Sequence, residues 1–371
     1  MKKGIFYLLV LPLCVYITCC GSQKDDSIKV GAIVFLTGES SSLGVPLLNG
    51  LKYAEKYINN NGGINGRRIE LIIEDSQSSA KGTLSAFNKL VMNNVTSIIV
   101  TGDNEFRAIN ELAKKNSIPI IATACTGGIE DRSKWVLRYC YSEQSQDRDI
   151  ANFIYNDLKY RRMALIYPNS LYGQDIYKYT KKYFEELGGE IIAHQAFLSN
   201  EGNQRNTALS ILRESPEIIC VRGIGTAFEA IIKSLRENGY KNELIGDITL
   251  GLPATIKNTQ NYIGKIFYVA GELDLDSKDL FVQSYIQEYK NEYMQDPSFW
   301  DALGFDSLYY LCHALANVDN LKDKNQILDA LYTLGPIKCL LGTHGFNQNG
   351  DLNFITSVFV MDELGVRVLN K

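Results

Sequence analysis

Tyr57-Ile58-Asn59-Asn60-Asn61-Gly62-Gly63-Ile64-Asn65-Gly66-Arg67-Arg68-Ile69-Glu70-Leu71-Ile72-Ile73-Glu74-Asp75 reads as the end of a helix, a reversal and a buried strand. Upstream, apolar residues at helical spacing predict a helix over residues 46–58, with Pro46 near its start, where a missing N–H costs least. Asn61-Gly62-Gly63 ends that helix, because glycine takes the left-handed C-cap conformation at little cost. The run 68–75 follows as a strand. Working outward, 28–35, 97–101 and 118–123 read as further strands, and 80–92 and 105–115 as helices. Strict alternation of this kind predicts a parallel sheet covered by helices on both faces.

A second series repeats the plan. Helix 147–159 leads to strand 163–167, helix 176–187 to strand 190–197, helix 206–213 to strand 217–222, and helix 227–238 to strand 243–246. Leu187-Gly188-Gly189 echoes Asn61-Gly62-Gly63 between a helix and a strand. The last third changes character: helices over 279–293 and 301–316, then strands near 353–361 and 366–369. That is too little for a third domain, so it completes the earlier two and the chain crosses between them more than once. A length of 371 residues, 45% hydrophobic and 22% charged, suits two domains with separate cores. The formal net charge of −4 gives no electrostatic reason to expect nucleic acid as a partner.

The N-terminus carries its own signal. Lys2 and Lys3 precede an apolar run over residues 5–17, too short to span a bilayer comfortably and suited to a signal-peptide core. Ile17-Thr18-Cys19-Cys20-Gly21-Ser22 resembles a bacterial lipobox, with Ile17 three residues before Cys20; Cys19 would place Tyr16 there instead. The resemblance implies removal of residues 1–19, lipidation of Cys20 and a tether over 20–27. An ordinary cleaved signal with an incidental cysteine pair is the alternative. The remaining Cys125, Cys140, Cys220, Cys312 and Cys339 are widely spaced, as are His194, His313 and His344. None forms a metal-type pair, and small core residues account for most of the cysteines. No metal, cofactor or catalytic residue is expected.

Seven short stretches, in order, resemble the leucine/isoleucine/valine-binding protein family, a type I periplasmic binding fold. They are Leu36-Thr37-Gly38 with Leu43-Gly44, Asn61 through Arg67, Glu74-Asp75, Ile118-Pro119-Ile120-Ile121, Leu171-Tyr172-Gly173, Gly304-Phe305-Asp306-Ser307 and Phe346-Asn347-Gln348-Asn349-Gly350-Asp351. The resemblance implies an α/β protein of two Rossmann-like lobes with parallel sheets and three crossovers, near Tyr141, Leu273 and Asp351. Lobe one is then 28–141 plus 274–350, and lobe two 142–273 plus 351–371. It implies an extracytoplasmic, membrane-anchored, monomeric solute-binding lipoprotein serving an ABC-type permease and ATPase. The ligand would be a small polar molecule (an amino acid, amide or peptide-like solute) held between hinged lobes at the carboxyl ends of strands.

Candidate ligand residues follow from position. In the loop from Glu39 to Leu43 after the first strand, Ser40, Ser41 and Ser42 either donate to a ligand or form a solvated loop. Asp103 and Asn104 come after the third strand, where amino-acid-binding relatives hold the ligand carboxylate with a serine; either also suits a helix N-cap. A carboxylate at Asp103 opposes a plain amino-acid assignment. Ala124 and Thr126 match a backbone contributor and a threonine that grip the ligand. Tyr172 matches a tyrosine covering it from the other lobe. Arg222 offers a fork for an anionic group and Asp247 a partner for an ammonium, or the two form a pair with no ligand role.

Two other classes compete. Gly223-Ile224-Gly225, with Asp247 further on, suggests a dinucleotide-dependent enzyme, but Phe228 stands at the third glycine position. A ligand sensor that signals to a membrane partner has the same fold and the same anchor.

Overall fold

The computed structural model describes residues 27–123, 132–259, 261–262, 264–352 and 354–369. Its first part runs β1 (Ile28–Val34), α1 (Ser41–Asn60), β2 (Ile69–Asp75), α2 (Ala80–Met92), β3 (Ile98–Thr101), α3 (Asp103–Asn116), β4 (Ile120–Thr123) and β5 (Val136–Tyr139). The five strands form one parallel sheet in the order β2-β1-β3-β4-β5. β3, β4 and β5 are buried at every position, as strands with helices on both faces must be.

The second part runs α4 (Glu143–Asn152), which continues as one π-helical turn over Phe153–Asp157, then β6 (Arg162–Pro168), α5 (Leu171–Glu186), β7 (Glu190–Phe197), α6 (Arg205–Leu212), β8 (Ile218–Val221) and α7 (Gly225–Glu237). β9 (Leu244–Asp247), a 3-10 turn over Ile248–Gly251, α8 (Pro253–Thr259) and β10 (Ile266–Ala270) follow. α9 (Leu280–Tyr293), α10 (Phe299–Leu315), α11 (Lys324–Thr333), the hairpin β11 (Ile337–Cys339) and β12 (Gly342–His344), and β13 (Ser357–Asp362) with β14 (Gly365–Val368) complete the chain. The second sheet has seven strands in the order β14-β13-β10-β9-β8-β6-β7. β13 joins β10 antiparallel, pairing Ile266 with Met361 and Ala270 with Ser357.

The chain therefore passes from one sheet to the other after β5 and returns after β10. α10 then packs along α1 on the first lobe, with Gly50 beside Asp301, Tyr53 beside Phe305 and Asn65 bonded to the carbonyl of Ala316. The chain crosses a third time before β13. Charged and aromatic groups tie the crossovers together. Asp351 takes hydrogen bonds from Arg132 at 2.9 Å and Arg138 at 3.0 Å, and the rings of Tyr139, Tyr141 and Phe299 meet Phe354.

One boundary differs from the sequence reading in a way that matters for the site. α1 begins at Ser41, so Pro46 lies inside the helix and not at its start. Gly44 permits this early start: a Cβ there would sit 1.9 Å from the carbonyl oxygen of Phe35. The helix begins hard against the end of β1 because that residue has no side chain. Cys140, Cys220, Cys312 and Cys339 are buried thiols packed among apolar neighbours.

Candidate functional site

The carboxyl ends of β1 and β3 in one lobe face those of β6, β7, β8 and β9 in the other across a cavity of about 130 Å³. Each wall is a strand-to-helix connection. Glu39, Ser40 and Leu43 come from the β1–α1 turn and Gly102, Asp103, Asn104 and Glu105 from the start of α3. Ser170 and Tyr172 open α5, Ser199 follows β7, Ile224 precedes α7, and Ile248 and Thr249 follow β9. Phe35 and Trp300 supply aromatic surface from the first lobe. Binding at the carboxyl ends of strands is the general habit of open α/β sheets. A second cavity, about 620 Å³, lies at the crossovers and is lined by Arg132, Arg138, Tyr332 and Asp351 among others. None of its lining residues comes from the turns after β1, β3, β6, β7, β8 or β9, so the smaller, two-walled cavity is the candidate site.

The lobes touch beside the cavity. Arg107 on α3 bonds Asp175 on α5 at 2.9 Å. Gly225, at φ +82°, approaches the carbonyl of Glu39 so closely that a Cβ would meet it at 2.8 Å. That is a closed arrangement, with the walls brought together by contacts that opening would break.

Beneath Tyr172 lies a buried ionic cluster. Its hydroxyl donates to Asp247 Oδ2 at 3.1 Å, and Arg222 Nε donates to the same oxygen at 2.7 Å. Asp247 Oδ1 accepts from the backbone N–H of Thr249 at 2.9 Å and from its hydroxyl. Arg222 is fully buried, and its other nitrogens reach Glu143, Asp147 and Gln146 on α4. Thr180 donates to Asp147 at 3.0 Å. Burial, opposed by Arg222, holds the Asp147 carboxyl well above the usual range. Burial and then Asp247 push the Tyr172 hydroxyl well above its ordinary value, so it remains a donor.

The structure brings Asp103, Asn104 and Tyr172 to the cavity wall. Ser41 and Ser42 are half-buried in the first turn of α1, and their neighbours Glu39, Ser40 and Leu43 form the wall instead. The early start of α1 is the reason. Asn104 and Asp103 stand in the first turn of α3, and Gly102, at φ +100°, is its N-cap. Ala124, Thr126 and Cys20 lie outside the described residues. Arg222 and Asp247 meet as the pair the sequence allowed for. Arg222 does not offer a free fork to the cavity, since carboxylates and Gln146 already occupy its nitrogens. At Gly223-Ile224-Gly225, Phe228 is fully buried behind the turn and fills the space that a dinucleotide fingerprint leaves to glycine.

Glu105, Thr249 and Trp300 escaped the sequence reading. Trp300 had a signal: Ser298 and Asp301 form a capping box, so α10 begins just before it.

The description of the periplasmic binding protein family matches residues 27–362. The Leu/Ile/Val-binding protein homolog 2 of Brucella abortus is 24% identical over 376 residues, covering 98% of this chain and 96% of that protein. The leucine-binding protein LivK of Thermotoga maritima superimposes with a TM-score of 0.86 at 20% identity, over 92% of this chain and 97% of that one. LivJ of Streptococcus pneumoniae, solved with isoleucine, gives 0.83 at 19% identity over 92% and 99%. A solute-binding protein of Rhodopseudomonas palustris, solved with benzoate, gives 0.84 at 15% identity over 92% and 95%. The arrangement of two lobes joined by three crossovers is the type I periplasmic binding fold.

Proposed function

We propose, because the chain belongs to the periplasmic binding protein family, that it captures a small polar solute between its lobes and delivers it to an ABC-type importer. Members of this family are substrate-binding proteins that work outside the cytoplasm. The observation that carries the reading is the cavity itself: strand ends of both sheets wall it, and Asp103 and Tyr172 reach it from opposite lobes. Capture then works by hinge closure, because the ligand's contacts with both walls exist together only when the lobes meet. The moving bodies would be 28–141 with 274–350, and 142–273 with 351–371. An amino acid, amide or peptide-like solute suits relatives named for leucine, isoleucine and valine.

A thermal-shift panel of amino acids, amides, sugars and nucleosides tests capture, because a ligand that binds only the folded state raises the melting temperature. Silence across the whole panel would count against it. Tyr172→Phe removes the hydroxyl that bonds Asp247 at 3.1 Å while keeping the ring. It is expected to weaken the bound solute about tenfold, because the ring loses the charge-assisted bond that holds it in place on the cavity wall. Calorimetry showing unchanged affinity would place the solute elsewhere.

Lys2, Lys3, the apolar run and Ile17-Thr18-Cys19-Cys20 support export and lipid anchoring at Cys20. Several acyl chains on one cysteine suffice for stable attachment, where a single chain does not. Cys20→Ser is expected to move the protein from the membrane pellet to the soluble fraction. Retention in the pellet would remove Cys20 as the anchor.

A further inference from the structure

We infer that the solute held in this cleft is a small organic cation, an amine whose carboxyl group is absent or masked as an amide, and not a zwitterionic amino acid. The inference rests on the capture reading above and narrows its ligand.

The charge of the wall is one-sided. Glu39, Asp103 and Glu105 line the cavity, and none of the described lining residues is a lysine, arginine or histidine. Arg222 lies under the floor, but Glu143, Asp147 and Asp247 surround it, so the floor offers no surplus positive charge.

Glu105 is 4% exposed and stands in the first turn of α3. Its carboxylate takes a hydrogen bond from its own backbone N–H, and Glu39 is the charge that weighs on it. Burial, with Glu39, pushes it up to about 7. A buried acid on a cavity wall, with no counter-ion among the described residues, is a place for a ligand cation to complete. Asp103 and Glu105 already sit at the positive end of the α3 dipole. A ligand carboxylate would have to share that end with them and would meet repulsion.

Trp300 supplies the second, independent observation. It is 2% exposed, lines the cavity, and its Nε1 has no hydrogen-bond partner among the described residues. A buried indole N–H calls for an acceptor, and a neutral carbonyl or hydroxyl on the solute provides one without bringing negative charge to the acidic wall. Phe35, Tyr172 and Trp300 give the aromatic lining in which a desolvated ammonium is stabilised.

The experiment is calorimetry and thermal shift on the full protein in detergent. The probes are leucine, leucinamide, 4-methylpentanamide, isoamylamine, agmatine and choline. At least one of the cations is expected to bind at least tenfold more tightly than leucine and the neutral amide. Glu105→Gln and Asp103→Asn are each expected to weaken it at least tenfold. Their melting temperatures without ligand show whether they fold, and the exposed Glu39→Gln, expected to weaken binding about threefold, provides a variant whose folding is not at risk. Leucine or the neutral amide binding as tightly as every cation would overturn the inference and leave the capture reading standing. Cation binding that ignores all three substitutions would also overturn it. A folded protein silent to every solute in this panel and the wider one would overturn both readings.

Discussion

Arg222→Ala is expected to destabilise the second lobe by about 3–5 kcal/mol, the usual consequence of removing one partner from a buried ion cluster. Arg222 directly follows β8 and is fully buried, with Glu143 and Asp147 from α4 and Asp247 from β9 around it. Without it those carboxylates keep the cost of burial and lose their counter-ion. Asp147 Oδ2 already has no hydrogen-bond partner among the described residues, so they hold no spare donor to compensate. Arg222→Lys should recover only part of the loss, because a single ammonium cannot serve carboxylates on three sides as a planar guanidinium does. The sign of the pH dependence follows from the same charges. In the alanine variant the Asp147 carboxyl, already raised by burial, loses the Arg222 guanidinium that opposes the rise, so the folded state binds more protons. Stability therefore falls as pH rises through that window and recovers on acidification. Urea unfolding of wild type and variant at pH 5 and pH 8 checks this. A variant midpoint matching wild type at pH 8 would show that the cluster contributes little.

The cluster also links the core to the cleft. Asp247 is fixed on one oxygen by Thr249 and on the other by Arg222, and that second oxygen receives the Tyr172 hydroxyl. Loss of Arg222 frees Asp247 and with it the orientation of Tyr172, so ligand affinity should fall together with stability. Arg222 is thus a positioning residue, which acts on the solute through Asp247 and Tyr172.

The strand–helix alternation was legible because short apolar runs alternate with stretches whose apolar residues recur at helical spacing. α2 and β7 fall where their apolar patterns end, at Ala80–Met92 and Glu190–Phe197. β5, four residues long, has no periodicity to distinguish it from a buried loop, and its neighbours in the sheet define it. β11 and β12, three residues each, fail for the same reason. In the site, Asp103 and Asn104 follow β3 closely and needed only the rule that ligands meet the carboxyl ends, whereas Tyr172 was found through the family resemblance. Trp300 was not, because it arrives from a helix nearly two hundred residues after α3, placed by α10 packing on α1. Glu105 gave no sign either, since one more acid in a helix's first turn reads as dipole complementation.

Gly304→Ala is expected to cost at least 1–3 kcal/mol, roughly the range for overpacking a core, and to weaken solute capture as well. A Cβ on Gly304 would lie 2.2 Å from the carbonyl oxygen of Leu47, and one on Gly50 would lie 1.9 Å from that of Asp301. Both obstacles are backbone, so no side-chain rotation relieves them and the two helices must separate. Separation disturbs a shared aromatic layer in which Tyr57 and Tyr53 meet Phe305, and Tyr57 meets Tyr309. It also reaches the cleft, because α1 starts at the Glu39–Ser40 wall and α10 starts beside Trp300. Gly50→Ala should behave alike, and the double variant should cost less than the two singles combined, since one separation accommodates both methyl groups. Gly202→Ala is the control: nothing lies within 4 Å of a Cβ there, so stability should stay within about 0.5 kcal/mol of wild type. Urea midpoints and solute affinity for the four variants check the argument. Equal stability of Gly304→Ala and Gly202→Ala would mean that the closeness of the two helices is not what holds the first wall of the cleft.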